Sequence, residues 1–252
     1  MNSIVMKVSL GIIVGFLSYV YAVISHEFGH LMAIIRHRLQ AEMLVIGSSE
    51  ANTPGWFVFK RPLPVKVCLR YIRGCVSLTD QSVEAKSKLR RGDQIQIEGA
   101  GIIVNLSSAL IANALLYALA DNFTTWQIPT IVGSMAVLSL VFNKELSVLF
   151  AATGPISILL LMSAINFQWT WFPQGLHSTN AVPIVLVGIF WMVNLFSAYE
   201  QALPSSSDGL TMLCLFYKEP KTRGIAQSIF QWEHILFLVY VLYQGLTHTT
   251  GK

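Results

Sequence analysis

His26-Glu27-Phe28-Gly29-His30 sets two imidazoles four residues apart, with a carboxylate beside the first. On a helix, positions i and i+4 lie one turn apart on one face, so both rings can reach one metal ion. Glu27 is one step round the helix and can approach a water held by that ion as a general base. Zinc lowers the pKa of such a water to roughly 7, which makes hydroxide available at neutral pH. A chain of this composition is expected to contain the HExxH spacing by chance only about 0.005 times. The plain competitor is a snorkelling cluster at a helix end with no metal. It is the weaker reading, because three ionisable groups closing an apolar run are costly unless they serve a purpose.

The elements that must position this motif are set by composition. The chain has 252 residues, 54% of them hydrophobic and only 12% charged. That charged share is about half of what a soluble domain carries. With a mean hydropathy of +0.57, the chain reads as an integral membrane protein of one compact bundle. The net charge of +4 is read as basic loops that orient a membrane protein, not as a nucleic-acid surface. Cys68, Cys75 and Cys214 form no CxxC pair and are odd in number, which argues against a disulfide framework. The first apolar run lacks an A-x-A cleavage site and leads directly into His26, so it reads as a retained span.

About 20 apolar residues cross a bilayer. Uncharged runs at 8–25, 100–120 and 181–199 read as spans, as do the pair 128–142 and 146–167 and a last segment, 230–246. The expected fold is all-α and polytopic, about six transmembrane helices with a small membrane-associated β-hairpin region after the first. The expected layout is one membrane-embedded domain. Residues 4–38 form span one with HExxH, 40–99 a cytoplasmic β-region, and 100–120 span two. Residues 128–167 form a helical hairpin, 181–212 span five with an Asp-Gly element, and 230–247 the last span.

Fifteen of the 17 lysines and arginines fall in alternate loops of this layout, eleven of them between the first two spans. That is the positive-inside pattern for six spans with both termini outside. Trp126, Trp169, Trp171 and Phe172, in loops without basic residues, suit an outer aromatic belt. Within 40–99, the runs 44–47, 56–60 and 65–72 are rich in β-branched and aromatic residues. Asn52-Thr53-Pro54-Gly55 and Arg73-Gly74 punctuate them as turns, and 82–91 reads as a short surface helix.

A catalytic zinc site has three protein ligands and one open position. The acidic candidates beyond the loop are Glu145, Glu200, Asp208, Glu219 and Glu233. The charge-derived topology ends span five on the same side as His30, which brings Asp208 to the depth of the motif, with Glu200 as its rival. His37 reads as part of a basic helix end, His177 and His248 as loop residues, and His234 as a solvated helix start.

HExxH in a first span together with an Asn194…Pro204…Asp208-Gly209 element resembles the site-two protease family of intramembrane zinc metalloproteases. The resemblance implies Asp208 as third ligand, with Asn194 and Pro204 as preceding motif members. The Gly99-Ala100-Gly101 start of span two, followed by Asn105, resembles the family's Gly-rich segment. There the resemblance implies that Asn105, like Asn194, contacts the substrate. The β-region resembles membrane-associated strands that present an edge to an unwound substrate, expected here near 56–72. The 195–207 stretch is longer than the family's pattern, and 128–180 matches it least.

The expected activity is that of a zinc-dependent metalloendopeptidase. It would cleave a membrane-anchored protein or peptide within or near its transmembrane segment, at the cytoplasmic side of a bacterial plasma membrane. Its partners are then that substrate and the lipid bilayer, with no nucleic acid. Two alternatives stand beside it: another HExxH membrane hydrolase of the prenyl-protein-protease type, which looks for a Glu ligand on a later helix, and a non-catalytic metal-binding membrane protein.

Overall fold

The apolar run before His26 and the motif itself contain no proline and form one helix without interruption, α1 (Ser3–Arg36). This computed structural model describes residues 3–48, 50–61, 63–68, 73–119, 181–203, 207–217, 224–225 and 228. At 1.5 Å per residue, α1 is about 51 Å long, well beyond a hydrocarbon core of roughly 30 Å. It ends where Arg38 takes a left-handed φ of 58°. There Leu39 N donates back to Ile34 O at 3.0 Å, and buried Leu39 packs beside Ile34. That is a helix stop in which an arginine occupies the position usually given to glycine.

Four strands follow: β1 (Ala41–Ile46), β2 (Trp56–Phe59), β3 (Val65–Val67) and β4 (Gly74–Leu78). Their order in the sheet is β2-β3-β1-β4. β1 pairs with β3 in parallel, Leu44 opposite Val65, and with β4 antiparallel, Ile46 opposite Gly74. The expected hairpin region is therefore corrected to a four-stranded mixed sheet. A parallel pair needs a crossover and cannot come from a tight turn, and the crossover here carries β2 to the far edge. The expected turn at Arg73-Gly74 is likewise corrected, because Gly74 opens β4. Trp56, Phe57, Val58 and Phe59 of β2 are all exposed, on both faces of the strand.

α2 (Asp80–Ser87) lies slightly before the expected 82–91. The Gln94 side-chain amide donates to the carbonyls of Lys86, Ser87 and Leu89 at 3.0–3.2 Å, which satisfies the helix end. α3 (Arg91–Leu119) begins nine residues before the expected 100. Its polar first turns are helical because they pack on the end of α1. Buried Gln96 meets His37 Nε2 at 3.1 Å, and Asp93 lies 4.0 Å from His37 Nδ1. His37, at the basic end of α1, is thus packed against α3.

α4 (Ala181–Ala202) and α5 (Ser207–Phe216) complete the described elements. α3 runs between α1 and α4. Its Ile95, Ile102, Ile103 and Leu106 form the main core with Trp191, Leu195 and Ala198 of α4 and Met212 of α5. α1, α3 and α4 each contain a segment long and apolar enough to cross a membrane. The described residues are thus mostly helical, with three helices of membrane-spanning length among them and a small sheet. The expected spans at 128–142, 146–167 and 230–246 lie outside the described residues.

Candidate metal centre

The i, i+4 spacing on α1 brings His26 Nε2 and His30 Nε2 to 3.0 Å from each other. α5 delivers Asp208, whose Oδ2 lies 2.8 Å from His26 Nε2 and 3.2 Å from His30 Nε2. Ligands bonded tetrahedrally to zinc at about 2.0–2.1 Å stand about 3.3 Å apart. The triangle is near that size, and its donor set of two imidazoles and one carboxylate suits zinc. Among the described residues this is the one group of three or more His, Cys, Asp or Glu able to hold a metal ion. His26 and His30 are buried.

The surroundings fix the two imidazoles. His30 Nδ1 donates to the Ile97 carbonyl of α3 at 2.7 Å, which leaves Nε2 as the nitrogen that faces the cluster. The His26 ring lies flat against Gly101. A Cβ at that position would stand 2.7 Å from Cε1, Nδ1 and Nε2 at once, so the backbone approach requires glycine. Burial alone would raise the Asp208 carboxyl. The imidazoles of His30 and His26 outweigh it and hold Asp208 well below the usual carboxylate range.

Glu27, also buried, faces the first residue of β4. A Cβ on Gly74 would come within 2.9 Å of Glu27 Cδ and 3.0 Å of Oε1. The sheet therefore covers the general-base candidate, and a side chain at position 74 would have to displace that of Glu27. Glu27, His26, His30 and Asp208 line one cavity of about 600 Å³, together with Gly74, Cys75, Val76 and Leu78 of β4. The edge strand at the cavity is thus β4, whereas the sequence pointed to the strands at 56–72. Burial, aided by the Glu27 charge, pushes the Cys75 thiol up to about 11, so it is a poor nucleophile at neutral pH.

Glu200 lines the cavity from α4 but is exposed and lies outside the triangle of His26, His30 and Asp208. Asn105 and Asn194 are fully buried away from the cavity wall. Ser25 Oγ donates to Asn105 Oδ1 at 2.8 Å, and Asn105 Nδ2 donates to Ser197 Oγ at 3.0 Å, so this amide joins α1, α3 and α4. Asn194 Nδ2 donates to Phe190 O of its own helix at 2.9 Å. Pro204, Glu145, Glu219 and Glu233 lie outside the described residues. The sequence marks Gly101 as part of a Gly-rich segment and Gly74 as a turn residue, but their approach to His26 and Glu27, and that of the Ile97 carbonyl to His30, depend on which elements meet there.

Comparison with protein-family models, with curated proteins and with solved structures finds no match for this chain.

Proposed function

We propose that this chain is a zinc-dependent intramembrane endopeptidase that hydrolyses a membrane-anchored protein or peptide near the cytoplasmic end of its span. The observation that carries the reading is the mutual contact of His26, His30 and Asp208, with Glu27 in the same cavity. Zinc held by these three residues would supply a Lewis acid for the scissile carbonyl and a water that ionises near neutral pH. Glu27 takes the proton of the attacking water and returns it to the leaving amine. The Ile97 carbonyl and Gly101 hold the two imidazoles in orientation throughout.

A helical substrate has its carbonyls locked in hydrogen bonds, so it must be extended before attack. The free edge of β4 lies along the cavity and offers backbone partners to such a segment. Six spans with the site toward the cytoplasm follow from the charge asymmetry of the loops. The prenyl-protein-protease type is less favoured, because its ligand set calls for a glutamate, and the carboxylate in this triangle belongs to Asp208.

The test is zinc analysis combined with cleavage of a panel of single-span substrates by reconstituted protein. Wild type should hold one zinc and cleave, and Glu27→Gln should hold zinc and not cleave. Full activity in Glu27→Gln would refute the general-base role. Zinc without cleavage in both proteins would favour a non-catalytic metal-binding protein.

A further inference from the structure

Two cationic residues, Lys86 and Arg73, line the cavity around the metal cluster. Lys86 is engaged, its Nζ lying 2.6 Å from Glu98 Oε1. Arg73 is exposed and has no side-chain partner among the described residues. Its backbone, in contrast, is held: its carbonyl accepts from Gly47 N at 2.5 Å, extending the β1–β4 ladder by one residue.

Strand alternation then fixes the geometry. Gly74 faces Glu27, and Val76 and Leu78 pack toward Ala33, Ile34 and Ile97. Ser77 alternates with them, and its Oγ donates to Glu42 Oε2 at 3.1 Å, while Arg73, one residue before β4, lines the same cavity as Glu27. An extended segment on the β4 edge would therefore run past both the metal cluster and Arg73.

We propose that Arg73 is a carboxylate-reading subsite, selecting a substrate segment with one acidic side chain, or a terminal carboxylate, beside the bond carried over the metal cluster. The inference rests on the endopeptidase reading for what occupies the cavity, but not for the recognition itself. A guanidinium presents a planar fork of donors that matches a carboxylate with two parallel hydrogen bonds. Arg73 is exposed, so what the pair gains comes from that matched geometry and not from exclusion of water. Glu200, exposed in the same cavity, disfavours a segment that is acidic along its whole length.

The test measures binding in the full-length, zinc-loaded Glu27→Gln protein, in nanodiscs of neutral phosphatidylcholine. The probes are fluorescent single-span peptides that differ at one juxtamembrane residue, Glu, Gln or Lys, moved through the last turn of the span. At one position the Glu peptide should bind about threefold more tightly than the Gln peptide, the difference expected of one solvent-accessible charged pair. Arg73→Lys should keep part of that preference, Arg73→Ala should remove it, and Arg73→Glu should turn it toward Lys. No charge-dependent binding at any position, or a Glu preference that survives in Arg73→Ala, overturns the proposal. Cleavage is read separately in protein with Glu27 intact. Arg73-dependent binding without cleavage would keep the subsite and remove the endopeptidase reading.

Discussion

Replacing Gly101 with alanine tests whether backbone approach sets the geometry of the cluster. In an exposed helix this change is stabilising by about 1 kcal/mol, because alanine is the better helix former. Here the new Cβ would stand 2.7 Å from three atoms of the His26 ring, against an ordinary contact of 3.4 Å or more. The ring or the helix pair must then give by about 0.7 Å in a close-packed interior. Zinc ligand distances tolerate only about 0.2 Å, and His26 cannot swing freely because Asp208 and His30 both lie within 3.0 Å of its Nε2. The expected loss is about 10- to 100-fold in zinc affinity, the range seen when the supports of metal ligands are removed. Competition between the purified protein and a chelating dye reads this directly. Gly15→Ala is the control, because its Cβ would meet only Ile189 Cγ2 at an ordinary 3.9 Å, and it should leave zinc affinity unchanged. Zinc binding in Gly101→Ala within twofold of wild type would refute the argument.

Asp208→Asn should weaken zinc binding by more than about 100-fold, since a ligand matters more than its supports, while Glu200→Gln should leave zinc content as it is. The reverse result, measured by metal analysis after dialysis, would exchange the two carboxylates' roles. Cys75, with a thiol raised to about 11, is protonated over the whole neutral range, and its thiolate fraction rises about tenfold per pH unit up to that value. Mass-spectrometric alkylation should find Cys75 nearly inert at pH 7 and accelerating steadily toward pH 10. Rapid labelling at pH 7 would show that the thiol is not held where β4 puts it.

Much of this protein was legible from local sequence. The HExxH spacing brought two imidazoles together with a carboxylate beside them, because i and i+4 share a helix face whatever surrounds them. Hydropathy marked the three helices of spanning length, since crossing a bilayer demands a contiguous apolar run. It misjudged the start of α3 by nine residues, because the polar turn from Arg91 onward is helical only through burying Asp93 and Gln96 against His37. The strand pattern revealed β-structure but not its pairing, because a crossover that makes β1 and β3 parallel leaves no mark in either segment.

The site divides in the same way. His26 and Asp208 are 182 residues apart in the chain yet 2.8 Å apart in space. The distribution of basic residues gave them a common depth, but only the packing of α5 against α3 decided that Asp208, and not Glu200, meets the imidazoles. The motif also said nothing of what covers Glu27. Gly74 looks like a turn residue in sequence, and it is a strand residue in the fold because it pairs with Ile46 of β1, where its bare backbone lies against that carboxylate. Residue types and spacing determined the chemistry available to this chain. The tertiary structure decided which carboxylate completes the cluster, which strand edge faces it, and which amides are spent on holding helices together, because each of those depends on contacts between segments that no local pattern encodes.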